Sequence, residues 1–96
     1  MAVYITVPLT KDSTLLDKAI ESLIDEADRY RLQDDRGWLI RFKGTSVELS
    51  NRIGLTRQEN GDPVLVGSAI IVPISSYYGR GSVDMWEWLK NRLENG

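Results

Sequence analysis

Between residues 15 and 30 the apolar side chains recur at helical spacing. Leu15, Leu16, Ala19, Ile20, Leu23, Ile24 and Ala27 fall on one side, and Asp17, Lys18, Glu21, Ser22, Asp25 and Asp28 on the other. On both flanks the period drops to two. Val3, Ile5 and Val7 alternate with Tyr4 and Thr6 before Pro8, which cannot donate to a ladder. Trp38, Ile40 and Phe42 alternate with Leu39, Arg41 and Lys43. A period that switches from 2 to 3.6 and back requires strand, helix and strand in succession. Asp12, Ser13 and Thr14 are candidate caps for the helix, and Asp34-Asp35-Arg36-Gly37 reads as the turn before the second strand. The polar residues on one parity of that strand suggest a sheet face open to water.

The second half is punctuated as clearly. Thr45-Ser46-Val47-Glu48 has the spacing of a capping box, and about two helical turns later Gly54 suits a left-handed stop, with Leu55 as its apolar contact. Residues 56–63 are polar and contain the turn pair Asn60-Gly61. Residues 64–74 form a third strand whose Ser68-Ala69-Ile70-Ile71-Val72 core is apolar on both parities, the pattern of a central strand. Ser82 can cap a last helix running to about Asn91 or Leu93. The expected fold is a single α+β domain over residues 1–96, a two-layer α/β sandwich in β-α-β-α-β-α order. Its three-stranded mixed sheet has the third strand central (order 1-3-2), a right-handed first crossover and helices mainly on one face. At 96 residues with 42% hydrophobic content, a core of ordinary size is available.

The residue inventory then narrows the chemistry. The sequence has no histidine and no cysteine, so disulfides, thiolate or imidazole metal sites, thiol nucleophiles and the usual serine triad are all excluded. No apolar run approaches the roughly 20 residues of a membrane span, and the N-terminus lacks the pattern of a signal peptide, which makes a cytoplasmic location the default. A formal net charge of −2 provides no general attraction to nucleic acid or anionic lipid. Glycine–lysine phosphate loops are absent, and Gly79-Arg80-Gly81 is only the opening of a dinucleotide fingerprint. No cofactor and no metal are expected. The acidic stripe Asp17, Glu21, Asp25 and Asp28 is read first as a solvated helix face and second as a docking surface for a basic partner.

One segment concentrates the remaining polar chemistry: Ser75-Ser76-Tyr77-Tyr78-Gly79-Arg80-Gly81-Ser82, between a strand end and a helix start. Read structurally, its glycines supply backbone angles, its tyrosines cover the sheet end and Arg80 pairs locally. Read functionally, it is a contact surface, because aromatics and arginine dominate interface hot spots and loops carry function. Asp84 and Glu87 already complement the helix dipole and argue against a phosphate there. Met85, Trp86, Leu89 and Leu93 make one apolar face of the last helix. Trp88 falls outside its centre, where it either packs over the loop or joins the contact surface, with Arg80 able to stack on aromatic rings.

The expected function is a small non-enzymatic protein-interaction or inhibitory module. Its partner-binding residues are Tyr77, Tyr78, Gly79, Arg80, Gly81, Ser82 and Trp88. The alternative is a nucleic-acid or nucleotide binder, with Arg36, Arg41, Lys43 and Arg57 on a basic sheet face and Tyr4 or the loop tyrosines stacking on bases. An enzyme built on Tyr77 or Tyr78, Arg80 and a carboxylate ranks third. An exposed edge strand could also pair two copies into a homodimer.

Overall fold

The computed structural model of the chain describes residues 2–56, 66–76 and 78–94. It is a four-stranded antiparallel sheet with helices on both faces. The strands are β1 (Ala2–Pro8), β2 (Arg29–Arg31), β3 (Trp38–Phe42) and β4 (Ala69–Ile74), and the helices are α1 (Thr14–Leu23), α2 (Ser46–Arg52) and α3 (Val83–Leu89). α3 continues as a wider, π-helical turn over Lys90–Glu94. Among the described residues no helix is long and apolar enough to cross a membrane.

The mixed α and β content agrees with expectation, but the three-stranded sheet and its order do not. The order is β2-β3-β1-β4, with the first strand central and the third expected strand at an edge. β1 pairs with β3 in the register Tyr4↔Ile40 and with β4 in the register Ile5↔Val72, both antiparallel. No parallel crossover joins these strands. β1 is central because both of its faces are buried. Tyr4 and Thr6 lie under α1 and α2 with Leu16, Ile20, Ile24, Trp38, Ile40, Leu49 and Ile53. Val3 lies under α3 with Leu39, Trp88 and Leu89. The odd-parity face of β3 is therefore not open to water, since α3 covers Leu39. β4 is apolar on both parities yet covered fully on neither. Ala69 and Ile71 pack beside α2, while Ile70 and Val72 remain 49% and 43% exposed.

The expected helix over residues 15–30 is cut short at Leu23, where Ile24 turns to an extended conformation. A single 3-10 turn, Glu26–Asp28, then leads into β2, which pairs with β3 through Tyr30↔Leu39. The alternation Arg29-Tyr30-Arg31-Leu32 serves the sheet: Tyr30 and Leu32 face the α3 core, and Arg31 crosses the Trp38 ring on the opposite face. Ile24 stays in the core either way, so extending the chain here sacrifices no burial.

Both ends of α2 and the start of α3 follow the local signals closely. Glu48 N–H donates to Thr45 Oγ1 at 3.1 Å and Thr45 N–H to Glu48 Oε1 at 3.2 Å, which completes the capping box. After α2, Gly54 has φ +87°, Leu55 N–H reaches Ser50 O at 2.9 Å and Gly54 N–H reaches Asn51 O at 3.2 Å. These two bonds form a Schellman motif. Ser82 Oγ accepts from Met85 N–H at 3.2 Å at the start of α3. At α1 the Asp12 carboxylate accepts from both the amide and the hydroxyl of Thr14, which holds its carboxyl below the usual range. The turn Asn60-Gly61 and the start of the expected third strand, at residues 64 and 65, lie outside the described residues.

Candidate functional site

β2 and β3 are joined by a tight loop whose backbone is unusual. Asp34 and Asp35 both take left-handed angles, with φ of 58° and 56°, and Gly37 follows at φ +127°. A left-handed non-glycine residue costs on the order of 1 kcal/mol, less for aspartate than for most, so two in succession need support. That support is visible. Leu32 N–H donates to Gly37 O at 2.9 Å, closing the loop, and Arg31 Nη2 donates to Asp35 Oδ1 at 2.6 Å.

Arg31 is itself anchored from below. Its Nη2 donates to Asp17 Oδ2 at 2.8 Å, and its guanidinium lies 5.0 Å over the Trp38 ring. Asp17 also accepts from Trp38 Nε1 at 2.9 Å and Ser13 Oγ at 3.1 Å. Burial alone would raise the Asp17 carboxyl. The hydrogen bonds from Trp38, Arg31 and Ser13, together with the charge of Arg31, outweigh it and hold the group below the ordinary aspartate value. The acidic stripe of α1 is therefore not a uniform solvated face. Asp17 is mostly buried in this network, and Asp28 pairs with Arg41 at 2.7 Å from beyond the helix end.

Facing this loop is the chain entering α3. Tyr30, Leu32, Gln33, Asp34 and Arg36 form one wall of a groove of about 250 Å³, and Arg80, Gly81, Ser82 and Met85 form the other. The walls are tied where the Tyr30 and Ser82 hydroxyls lie 3.2 Å apart. Gly79 has φ +151° with open space where a Cβ would stand. Tyr78 is fully exposed. The tyrosine at position 77 lies outside the described residues.

Thus Arg80, Gly81 and Ser82 converge on one concavity, with Tyr78 and Gly79 leading into it. Trp88 does not join them. It is only 8% exposed, its ring centroid 6.2 Å from that of Tyr30 and capped by the Arg92 guanidinium at 5.1 Å. The helix is rotated so that Met85, Trp88 and Leu89 point at the sheet. Arg92, one turn beyond Trp88, holds its guanidinium over the indole and donates to Ala27 O at 2.9 Å. Among the described residues the cation–π contacts are made by Arg31 and Arg92, not by Arg80. Residues 34–36 read in sequence as a turn, with Arg36 also a candidate for a basic sheet face; their place in this groove is not legible there, because nothing local indicates that α3 begins opposite them.

The basic sheet face is not assembled among the described residues. Arg41 and Lys43 line one concavity with Arg52, Asp25 and Asp28, where Arg41 is paired with Asp28, while Arg36 sits apart on the groove loop. Arg57 lies outside the described residues. Tyr4 is buried in the core with its hydroxyl donating to Gly44 O, so its ring is not presented for stacking.

No family model, curated protein or solved structure matches the chain.

Proposed function

We propose that the chain is a small non-enzymatic protein-interaction or inhibitory module, with its partner seated on the groove between residues 32–36 and the Tyr78–Ser82 segment. The observation that carries this reading is the placement of Arg80 and Arg36 on facing walls of one groove, with a fully exposed tyrosine beside it. Arginine and tyrosine are enriched at the centres of protein interfaces, and the groove walls are held by bonds rather than by loop contacts alone.

The test compares wild type with a Tyr78→Ala, Arg80→Ala double variant, each shown to be folded, as baits in cell lysate. A specific protein captured by wild type and lost from the variant supports the reading. Equal recovery by both baits moves the contact elsewhere, and recovery of nucleic acid alone, falling steeply with added salt, would favour a nucleic-acid binder.

The β4 edge, which pairs with no further strand among the described residues, makes a second copy of the chain a further proposed partner. Its exposed Ile70 and Val72 lie in a stretch, residues 66–76, without a single charge to discourage edge pairing. Sedimentation equilibrium is expected to detect self-association that Ile70→Lys removes; a monomer at all concentrations rules it out.

A further inference from the structure

We propose that the groove recognises an acidic peptide segment, taking a carboxylate between Arg36 and Arg80 and an adjacent apolar side chain against Tyr30, Leu32 and Met85. This inference rests on the reading of the groove as a partner site and specifies the partner's chemistry.

The first support is the state of the arginines. Arg29 donates to Ile24 O, Arg31 bridges Asp17 and Asp35, Arg41 pairs with Asp28, and Arg92 holds Ala27 O and the Trp88 ring. Among the described residues Arg36 and Arg80 have no hydrogen bond or ion pair of this kind, and both line the same groove. Two guanidinium groups that converge without an internal partner provide the planar, forked donors that bind carboxylates bidentately.

The second is the balance of charge. Asp35 is turned away to Arg31, so Asp34 is the only carboxylate among the described lining residues, set against two arginines. The groove is thus locally basic on a chain whose formal net charge is −2. One excess positive charge suits a singly charged carboxylate better than a doubly charged phosphate.

Size and rigidity agree. A volume of about 250 Å³ falls below the roughly 300–1,000 Å³ typical of small-molecule pockets and fits one or two anchoring side chains. The Arg31–Asp35 bridge fixes the strained loop that carries Arg36, and the Tyr30–Ser82 contact fixes the facing wall. Less ordering is then left to the binding step.

The experiment titrates isotope-labelled full chain with blocked peptides carrying Asp or Glu next to Leu, Phe or Trp, and with their Asn and Gln counterparts. Backbone amide shifts are followed by NMR. Acidic peptides are expected to move the amides of Tyr30, Leu32, Gly81 and Met85 and to bind about tenfold or more tightly than the neutral ones, as for a desolvated charge pair. An Arg36→Gln, Arg80→Gln variant with an otherwise unchanged spectrum should bind both sets equally weakly. Groove shifts of equal size with acidic and neutral peptides would overturn the acidic preference while leaving the groove as a partner site. Shifts confined to other surfaces, or none with any peptide, would overturn both.

Discussion

Trp38 Nε1 donates to Oδ1 of Asp17 at 2.9 Å, joining the middle of the sheet to the first turn of α1. The other oxygen of the same carboxylate receives Arg31 and Ser13. One aspartate thus links α1, β2 and β3, and through Arg31 it steadies the strained Asp34–Asp35 loop. Asp17→Ala leaves the Trp38 donor without its acceptor and Arg31 with only the exposed Asp35. The expected loss is about 1–3 kcal/mol of folding stability, in line with leaving a partly buried donor unsatisfied. Urea denaturation followed by tryptophan fluorescence would measure it, and a loss below about 0.5 kcal/mol, the level of an ordinary surface substitution, would refute the role given to Asp17.

The same carboxylate sets a pH dependence. Its folded-state pKa is depressed, so on acidification the unfolded chain takes up the proton first. The stabilisation is therefore complete above the unfolded aspartate value of about 3.9 and is lost as pH falls from there through the lower folded value. The urea midpoint of wild type should fall between pH 5 and pH 2.5, and that of Asp17→Asn should fall less. Parallel pH profiles would assign the acid sensitivity to other groups.

Thr6 is fully buried under α1 and α2, and its Oγ1 has no hydrogen-bond partner among the described residues. Replacing a buried, unsatisfied hydroxyl with a methyl of similar shape relieves a desolvation cost of about 1 kcal/mol or more. Thr6→Val is expected to raise the melting temperature by about 4–8 °C for a domain of this length. A lowered melting temperature would reveal a partner for the hydroxyl.

Two glycines make a matched test of the backbone. Gly37 is buried at φ +127°, and a Cβ there would stand 2.1 Å from the Thr6 carbonyl oxygen of the neighbouring β1. Gly79, at φ +151°, has nothing within 4 Å of the same position. Gly37→Ala should destabilise by about 4 kcal/mol or fail to fold, because the obstacle is backbone and cannot rotate away. Gly79→Ala should cost about 1 kcal/mol from the angle alone. Calorimetry on both variants would decide, and equal losses would contradict the close approach at Gly37.

Trp88 and Tyr78 were expected to share a surface and are separated by burial. Trp88→Ala should cost about 3–5 kcal/mol, as for a large aromatic removed from a core. Tyr78→Ala should stay within about 0.5 kcal/mol, which leaves it the cleaner probe of binding. Chemical denaturation of the two variants gives the answer directly.

The sequence by itself determined the features that depend on residues three or four apart. The capping box at Thr45 and Glu48, the left-handed stop at Gly54, the Ser82 cap and the strand period of β1 and β3 are all legible, because each is set by nearest neighbours along the chain. The loop from Tyr78 to Ser82 was also legible as an unusual concentration of polar and aromatic groups. Only the tertiary structure decided what lay opposite those features. Residues 29–31 leave the helical pattern because β3 offers them a ladder that α1 cannot. The third expected strand became an edge because α3 settled over β1 and β3 rather than over Ile70 and Val72. Trp88 turned inward because Tyr30 and Leu39, about 50 residues away, form the surface beneath it. Likewise, Arg36 is distinguished from Arg31 and Arg41 only by where the aspartates end up. Hydrogen-bonded caps are local and register in a few residues of sequence, whereas burial and charge pairing depend on contacts between segments that meet only when the chain folds.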